Sequence, residues 1–132
     1  MHSFQTNTEL FVPRERIFDA WLNEQDQALI TGAPAIIEPR LGGLFSLWGG
    51  SVRGQIVFMK RPEIIAQTWR TEDFEHHDED SRLELRFMPT AMGCRMQITQ
   101  DRIPARSHQQ FIHAWTKVLI PAIKAWAVPT VH

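Results

Sequence analysis

Tyrosine is absent from this chain, and cysteine occurs only once, at position 94. Without tyrosine, no phenol can serve as an acid, a base or a hydrogen-bond donor. A single cysteine cannot form an internal disulfide, and Cys94 falls within a predicted strand. We therefore expect Cys94 to be a small buried apolar residue.

The chain also lacks an excess of charge and a long apolar run. Its 14 Lys and Arg residues nearly balance 15 Asp and Glu residues, so nucleic acids and anionic membranes are not expected partners. No apolar run approaches the roughly 18 residues of a membrane span, and the first residues do not resemble a secretory signal. We expect a soluble, cytoplasmic protein with one domain over residues 1–132, either monomer or homodimer.

Hydrophobic periodicity predicts a strand, two short helices, six more strands and a long helix, in that order. The strands are predicted at residues 4–12, 35–38, 44–48, 51–59, 64–71, 82–87 and 94–100. The helices are predicted at residues 13–23, 24–30 and 108–126.

Glycine, serine and proline mark several boundaries of these elements. Glycine pairs at residues 42–43 and 49–50 predict tight turns, and Gly32 predicts a left-handed helix cap. Ser107 is predicted to cap the long helix, and Pro121 to kink it. The charged run at residues 72–80 is predicted to be a solvated connection.

A set of motifs spread from Leu10 to Trp126 resembles the domain family named for the activator of the Hsp90 ATPase. The usual Gly-Trp of that family corresponds to Ala114-Trp115 here. The other residues that carry the resemblance are Pro13, Ile17, Phe18, residues 31–35, Gly42, Gly43, Phe45, Val52, Gly54, Pro62, Glu63, Trp69 and residues 103–105.

This resemblance implies an α+β helix-grip fold. In that fold, a curved antiparallel sheet of about seven strands wraps round a long C-terminal helix, with two short helices between the first and second strands. The wider group includes lipid-transfer, plant-allergen and polyketide-cyclase proteins, which enclose a pocket between sheet and helix. The family also implies a chaperone as a second possible partner, besides a small apolar molecule.

The predicted site is the inner face of the sheet together with the facing side of the long helix, where a small hydrophobic or amphipathic ligand would bind. Its predicted lining is Phe45, Leu47, Ile56, Phe58, Gln67, Trp69, Leu85, Phe87, Met96, Ile98, Phe111, Trp115, Leu119 and Ile123. The alternative is that these side chains fill the core. An empty apolar void of about 300 Å³ would cost about 7 kcal/mol, so ligand, water or bulky side chains must occupy the space.

Polar residues on the same face bear on this choice. Gln67, Thr71 and Gln100 share the inward parity and would orient a ligand, or else they are satisfied polar residues at the rim of the sheet.

Neither a metal site nor an enzyme is favoured. Glu75, His76, His77 and Asp78 are adjacent, without the spacing of known zinc ligands, and no metal or cofactor is predicted. The inward positions offer no acid or base. Two alternatives to ligand binding remain open: stimulation of an Hsp90-type ATPase and polyketide cyclase-like catalysis.

Overall fold

A seven-stranded antiparallel sheet forms the body of the protein in a computed structural model that describes residues 1–128. The strand order across the sheet is β1-β7-β6-β5-β4-β3-β2. The strands are β1 (His2–Leu10), β2 (Ile36–Ile37), β3 (Leu44–Leu47), β4 (Val52–Lys60), β5 (Ile64–Thr71), β6 (Ser81–Thr90) and β7 (Gly93–Ile103). The strands from β2 to β7 form a meander, and β1 closes onto β7.

Two short helices carry the chain from β1 at one edge of the sheet to β2 at the other. They are α1 (Arg14–Trp21) and α2 (Glu24–Thr31). The side chain of Asn23 accepts a hydrogen bond from the backbone of Asp26 at the start of α2. Gly32 ends α2 with φ 76°, which confirms the predicted left-handed cap.

The C-terminal helix covers residues 108–126 and changes its winding in the middle. It consists of α3 (His108–His113), a π-helical segment (Ala114–Leu119) and α4 (Ile120–Trp126). Pro121 follows the π-helical segment and has no N–H to donate to the carbonyl group four residues earlier, at Lys117. In the i+5 pattern of a π-helix, that carbonyl group can accept from the next N–H along the chain, which replaces the missing donor. The kink expected at Pro121 stays a prediction.

Phe58 does not lie on the inner face, contrary to the prediction. The pairing of β4 with β5 shifts between Ile56 and Phe58, so one extra residue, Val57, enters β4. Such a bulge reverses the alternation of side chains beyond it. Phe58 therefore faces outwards opposite Ala66, with 45% of its surface exposed.

The buried core lies between the inner face of the sheet and the helices. Ile17, Phe18 and Trp21 from α1 join it, together with Phe111 and Trp115 of the C-terminal helix. Strand β7 runs to Ile103, three residues beyond the predicted end at Gln100, because Pro104 supplies the stop. Among residues 1–128, no helix has the length and apolar character needed to cross a membrane.

Candidate functional site

The predicted lining, apart from Phe58, converges on one buried interior. The buried members are Phe45, Leu47, Ile56, Gln67, Trp69, Leu85, Phe87, Met96, Ile98, Phe111, Trp115, Leu119 and Ile123. The antiparallel pairing explains this convergence, because directly opposite residues share a face of the sheet. Leu85 lies opposite both Ile65 and Ile98.

A row of aromatic rings occupies the centre of this interior. The ring of Trp115 lies 6.0 Å from that of Trp21 and 6.0 Å from that of Trp69. Phe45 continues the row at 5.9 Å from Trp69. Trp21 was not included in the predicted lining, although its place in the apolar stripe of α1 was a usable signal.

The volume left between sheet and helix is small. A cavity of about 60 Å³ lies at one end, against Trp48, Trp69, Trp115 and Leu119. Ligand pockets usually measure about 300 Å³ or more. In this structure, side chains therefore fill the interior.

Two of the three buried glutamines, Gln67 and Gln100, accept hydrogen bonds from tryptophan side chains. The Nε1–H of Trp21 donates to Oε1 of Gln67 at 2.8 Å, and the Nε1–H of Trp115 donates to Oε1 of Gln100 at 2.7 Å. The Nε2 of Gln100 donates to Oγ of Ser81 at 3.2 Å. Thr71, the third predicted polar residue, donates to Asp73 outside the core. These polar groups have protein partners and need no ligand to satisfy them.

The part of the interior formed by the described residues contains no ionised side chain. Among residues 1–128, the buried polar side chains belong to Thr8, Gln27, Gln67, Ser81, Gln100 and Ser107. Cys94 is buried as predicted, and burial raises the pKa of its thiol to about 11. A thiol with that pKa is protonated at neutral pH and is therefore a poor nucleophile.

The charged connection at residues 72–80 is held against the protein rather than fully solvated. Phe74 is buried and stacks on Phe111 at 5.9 Å. Arg70 donates to the backbone carbonyl groups of Glu75 and Asp78. Most of the connection is exposed, as predicted, but the prediction counted charges and overlooked the one phenylalanine that is buried.

Ser107 stands at the start of α3 but does not cap it, contrary to the prediction. Its Oγ–H donates to Oδ2 of Asp73 at 2.8 Å instead. Burial alone would raise the pKa of Asp73, but hydrogen bonds from Thr71 and Ser107 outweigh burial and lower that pKa. Asp73 thus joins the 72–80 connection to the beginning of the C-terminal helix.

The side chains of the adjacent Glu75, His76, His77 and Asp78 are not gathered round one point, as metal ligands would be. Asp78 accepts hydrogen bonds from Arg106 and from the backbone of Glu75. No cluster of three or more His, Cys, Asp or Glu side chains suited to a metal ion occurs in the part of the chain that the structure describes.

A larger hollow lies on the outer face of the sheet, the face turned away from the C-terminal helix. It measures about 490 Å³ and crosses β3, β4 and β5. We call it the outer hollow, and its side chains are those of Leu44, Ser46, Arg53, Gln55, Thr68, Arg70 and Asp80. None of these residues was among the predicted site residues.

The backbone explains why the outer hollow forms there. The pairing of β4 with β5 passes from Arg53 opposite Arg70 to Ile56 opposite Gln67 and skips Gly54 and Gln55. At Gly54 the strands approach so closely that a Cβ atom would lie 2.1 Å from the carbonyl oxygen of Thr68. The N–H of Gln55 donates to Oγ1 of Thr68 at 2.9 Å in place of a backbone carbonyl group. Gly54 was the available sequence signal for this irregularity.

The curved antiparallel sheet closed on a long C-terminal helix defines a helix-grip protein, as the sequence predicted. The family model described as "Activator of Hsp90 ATPase homolog 1-like protein" matches residues 12–127. The chain belongs to this family, and the resemblance found in the sequence is confirmed.

Two curated relatives carry names that refer to the same chaperone. The "Activator of 90 kDa heat shock protein ATPase homolog 2" of Mus musculus is 24% identical over 89% of this chain and 35% of the relative. The "Activator of 90 kDa heat shock protein ATPase homolog" of Dictyostelium discoideum is 26% identical over 81% of this chain and 28% of the relative. The chain thus spans about a third of the length of these curated relatives.

Solved structures of similar fold come from several organisms. An HSP90 activator from Plasmodium falciparum matches with a TM-score of 0.85 and 25% identity, over 93% of this chain and 94% of the other. A protein from Chromobacterium violaceum matches with a TM-score of 0.80 and 19% identity, over 98% and 100% of the two chains. The second likeness supports the fold alone.

Proposed function

We propose that this chain binds a chaperone of the 90 kDa heat shock class through its outer surface and stimulates the ATPase of that chaperone. The filled interior is the observation that carries the proposal. The cavity between sheet and helix measures only about 60 Å³, and the inward-facing Gln67 and Gln100 already have protein partners. Because its own side chains occupy the interior, we expect this domain to recognise a partner through its surface.

The family and its relatives support the identity of the partner. The family model, the mouse and Dictyostelium relatives and the Plasmodium structure all refer to activation of this chaperone. Because this chain matches only part of the curated relatives, we propose that the matched part is sufficient for a measurable effect on the ATPase.

The experiment that tests this function is a steady-state ATPase assay with the Hsp90-type chaperone from the same organism. Adding the purified chain at increasing concentration should raise the rate of ATP hydrolysis to a plateau, because a specific partner saturates its site. The rise should be at least about twofold, which corresponds to about 0.4 kcal/mol of activation free energy.

The control for this assay is the chain alone with ATP, which should hydrolyse nothing measurable. An unchanged chaperone rate, together with no binding by calorimetry at a large excess of the chain, would contradict the proposed function.

A second candidate function is the binding of a small apolar or amphipathic molecule in the interior. The supporting observation is that the 60 Å³ cavity neighbours a surface hollow of about 270 Å³, since Val52 and Thr71 border both. Half-buried Trp48 stands at this end of the sheet, in a turn with positive φ values at Trp48, Gly49 and Gly50. Under this proposal the interior opens by movement of Trp48, and the buried residues of the predicted lining contact the ligand.

We further propose that residues 1–132 act as one domain in the cytoplasm, as either monomer or homodimer. The single buried cluster that runs from Leu10 to Ala127 supports one domain.

A further inference from the structure

The outer hollow places an exposed apolar side chain beside an arginine whose side chain has no partner among residues 1–128. Leu44 on β3 has 61% of its surface exposed beside the hollow. The exposed side chain of Arg53 on β4 makes no hydrogen bond or ion pair with any residue in the range 1–128. An isolated apolar residue on a surface is ordinary, but an exposed apolar side chain next to an unpaired cation in a concave site suits an amphipathic anion.

The other charges around the outer hollow are already neutralised. Arg70 lies opposite Arg53, and its guanidinium binds Asp80 at 3.0 Å and the carbonyl groups of Glu75 and Asp78. The charge of Arg70 is therefore paired, and its N–H donors already have acceptors.

On the β3 side, Glu38 accepts a hydrogen bond from the backbone of Leu44 at 2.9 Å and pairs with Arg40 at 3.2 Å. The backbone bond from Leu44, helped by Arg40, lowers the pKa of Glu38. One positive charge, that of Arg53, remains uncompensated in the hollow.

Polar groups complete the lining. Ser46 and Arg53 lie opposite each other on β3 and β4, and Leu44 lies opposite Gln55. The hydroxyl of Thr68 accepts from Gln55 and keeps its proton for another acceptor. A carboxylate placed beside Arg53 could accept from the guanidinium and from these hydroxyl groups.

The shape of the outer hollow favours a protein segment over a small molecule. It is a wide and open depression across β3, β4 and β5, whereas small-molecule sites enclose most of the ligand. The exposed Ile36 of β2 lies opposite Ser46 and extends the apolar surface beyond the hollow itself. Exposed arginine beside apolar side chains is a common composition at the centre of protein interfaces.

We propose that the outer hollow is the docking site for an acidic segment of the chaperone in which a carboxylate neighbours an apolar side chain. The carboxylate binds Arg53, and the apolar side chain packs on Leu44. This inference rests on the function proposed above, because it names the surface through which that function acts.

The test measures binding of the full chain to the Hsp90-type chaperone by calorimetry, in wild type and in variants of the outer hollow. Arg53→Glu should weaken binding by about tenfold or more, because it places a negative charge against the acidic segment. Leu44→Ser should weaken it by about fivefold through loss of apolar contact. Raising the salt concentration should weaken binding of the wild type more than that of Arg53→Glu.

Arg95→Gln is the matched control. Arg95 is an exposed arginine on the outer face, paired with Glu9 at 2.7 Å and outside the outer hollow. Its replacement should leave binding unchanged, and thermal melting followed by circular dichroism should show that all three variants fold.

The outcomes distinguish the two proposals. If the wild type binds and both hollow variants bind equally well, the docking site is wrong and the proposed function stands. If the wild type does not bind the chaperone, both are wrong. If sodium octanoate shifts the amide resonances of Gln55 and Thr68 while the variants still bind the chaperone, the hollow is a small-molecule site and the docking proposal is overturned.

Discussion

At the residue scale, Gln100 is the point where the sheet is joined to the C-terminal helix by a polar contact. It is fully buried in β7, accepts from Trp115 and donates to Ser81, which itself donates to the carbonyl group of Trp69. Buried polar groups that lose a partner destabilise a protein, because they were desolvated without compensation. Gln100 therefore fixes the orientation of an indole ring at the centre of the core.

Replacing Gln100 by alanine should reduce the free energy of unfolding by about 2 kcal/mol, since the Nε1–H of Trp115 is left buried without an acceptor. Urea denaturation followed by tryptophan fluorescence measures this change.

Gln97→Ala is the matched control for this prediction. Gln97 is on the same strand, faces outwards opposite Asn7 and is only half-buried, so its loss should change stability by less than about 0.5 kcal/mol. Equal losses in the two variants would show that the hydrogen bonds of Gln100 contribute nothing specific.

The inward direction of Gln67 and Gln100 could be predicted from the alternation of each strand. Their bonding partners could not, because these depend on how α1 and the C-terminal helix pack on the sheet. The outward direction of Phe58 could not be predicted either. One bulge in β4 reverses the alternation of side chains, and no local sequence pattern indicates that bulge.

At the element scale, the 72–80 connection and the start of the C-terminal helix form one hydrogen-bonded unit. Asp73 accepts from Thr71 and Ser107, and Arg106 donates to Asp78. The lowered pKa of Asp73 means that folding favours its ionised form. This contribution is present above the unfolded pKa of about 3.9 and is lost as the pH falls through the lower folded value.

Asp73→Asn should therefore make stability less dependent on pH in the acidic range. Between about pH 5 and pH 3, the free energy of unfolding of the wild type should fall more steeply than that of the variant. Urea denaturation at a series of pH values measures both slopes.

Glu79→Gln serves as the control, because Glu79 is an exposed acid on the same connection with no hydrogen bond among the described residues. Its slope should match that of the wild type. If the stability of Asp73→Asn depended on pH as steeply as that of the wild type, folding would not favour the ionised form of Asp73.

The elements themselves were largely predictable, because most depend on local periodicity. The order of strands and helices, the cap at Gly32 and the turn at residues 49–50 follow from spacing and from glycine. The role of Ser107 did not follow, since its partner Asp73 is 34 residues away.

At the scale of the whole molecule, whether the interior is a pocket or a packed core depends on side-chain and cavity volumes, which hydrophobic periodicity does not predict. The inward set was identified from the sequence, but the same set can line a cavity or fill it. The structure fills it with Trp21, Trp69 and Trp115. Gly54 signalled the interrupted pairing between β4 and β5, but the outer hollow that results could not be predicted, because its size also depends on volumes.

We expect native mass spectrometry of the chain, purified without detergent, to give the mass of the polypeptide with no retained apolar molecule. The reason is the interior volume of about 60 Å³, which is too small for a ligand. A retained small molecule at stoichiometric occupancy would instead support the second candidate function.

Leu119→Ala is the positive control for apolar uptake, because buried Leu119 borders that cavity and its truncation enlarges it. Benzene added to this variant should raise its melting temperature, as in other apolar cavities. The wild type should show no such rise.

The row formed by Trp21, Trp69 and Trp115 has a spectroscopic consequence. Indole chromophores 6.0 Å apart have coupled electronic transitions, so their absorption is shared rather than independent. The ellipticity of that coupled set is a signal of the assembled molecule, because its members come from α1, β5 and the C-terminal helix. The chain therefore carries an intrinsic optical reporter that registers the meeting of three distant segments and changes when any one of them departs.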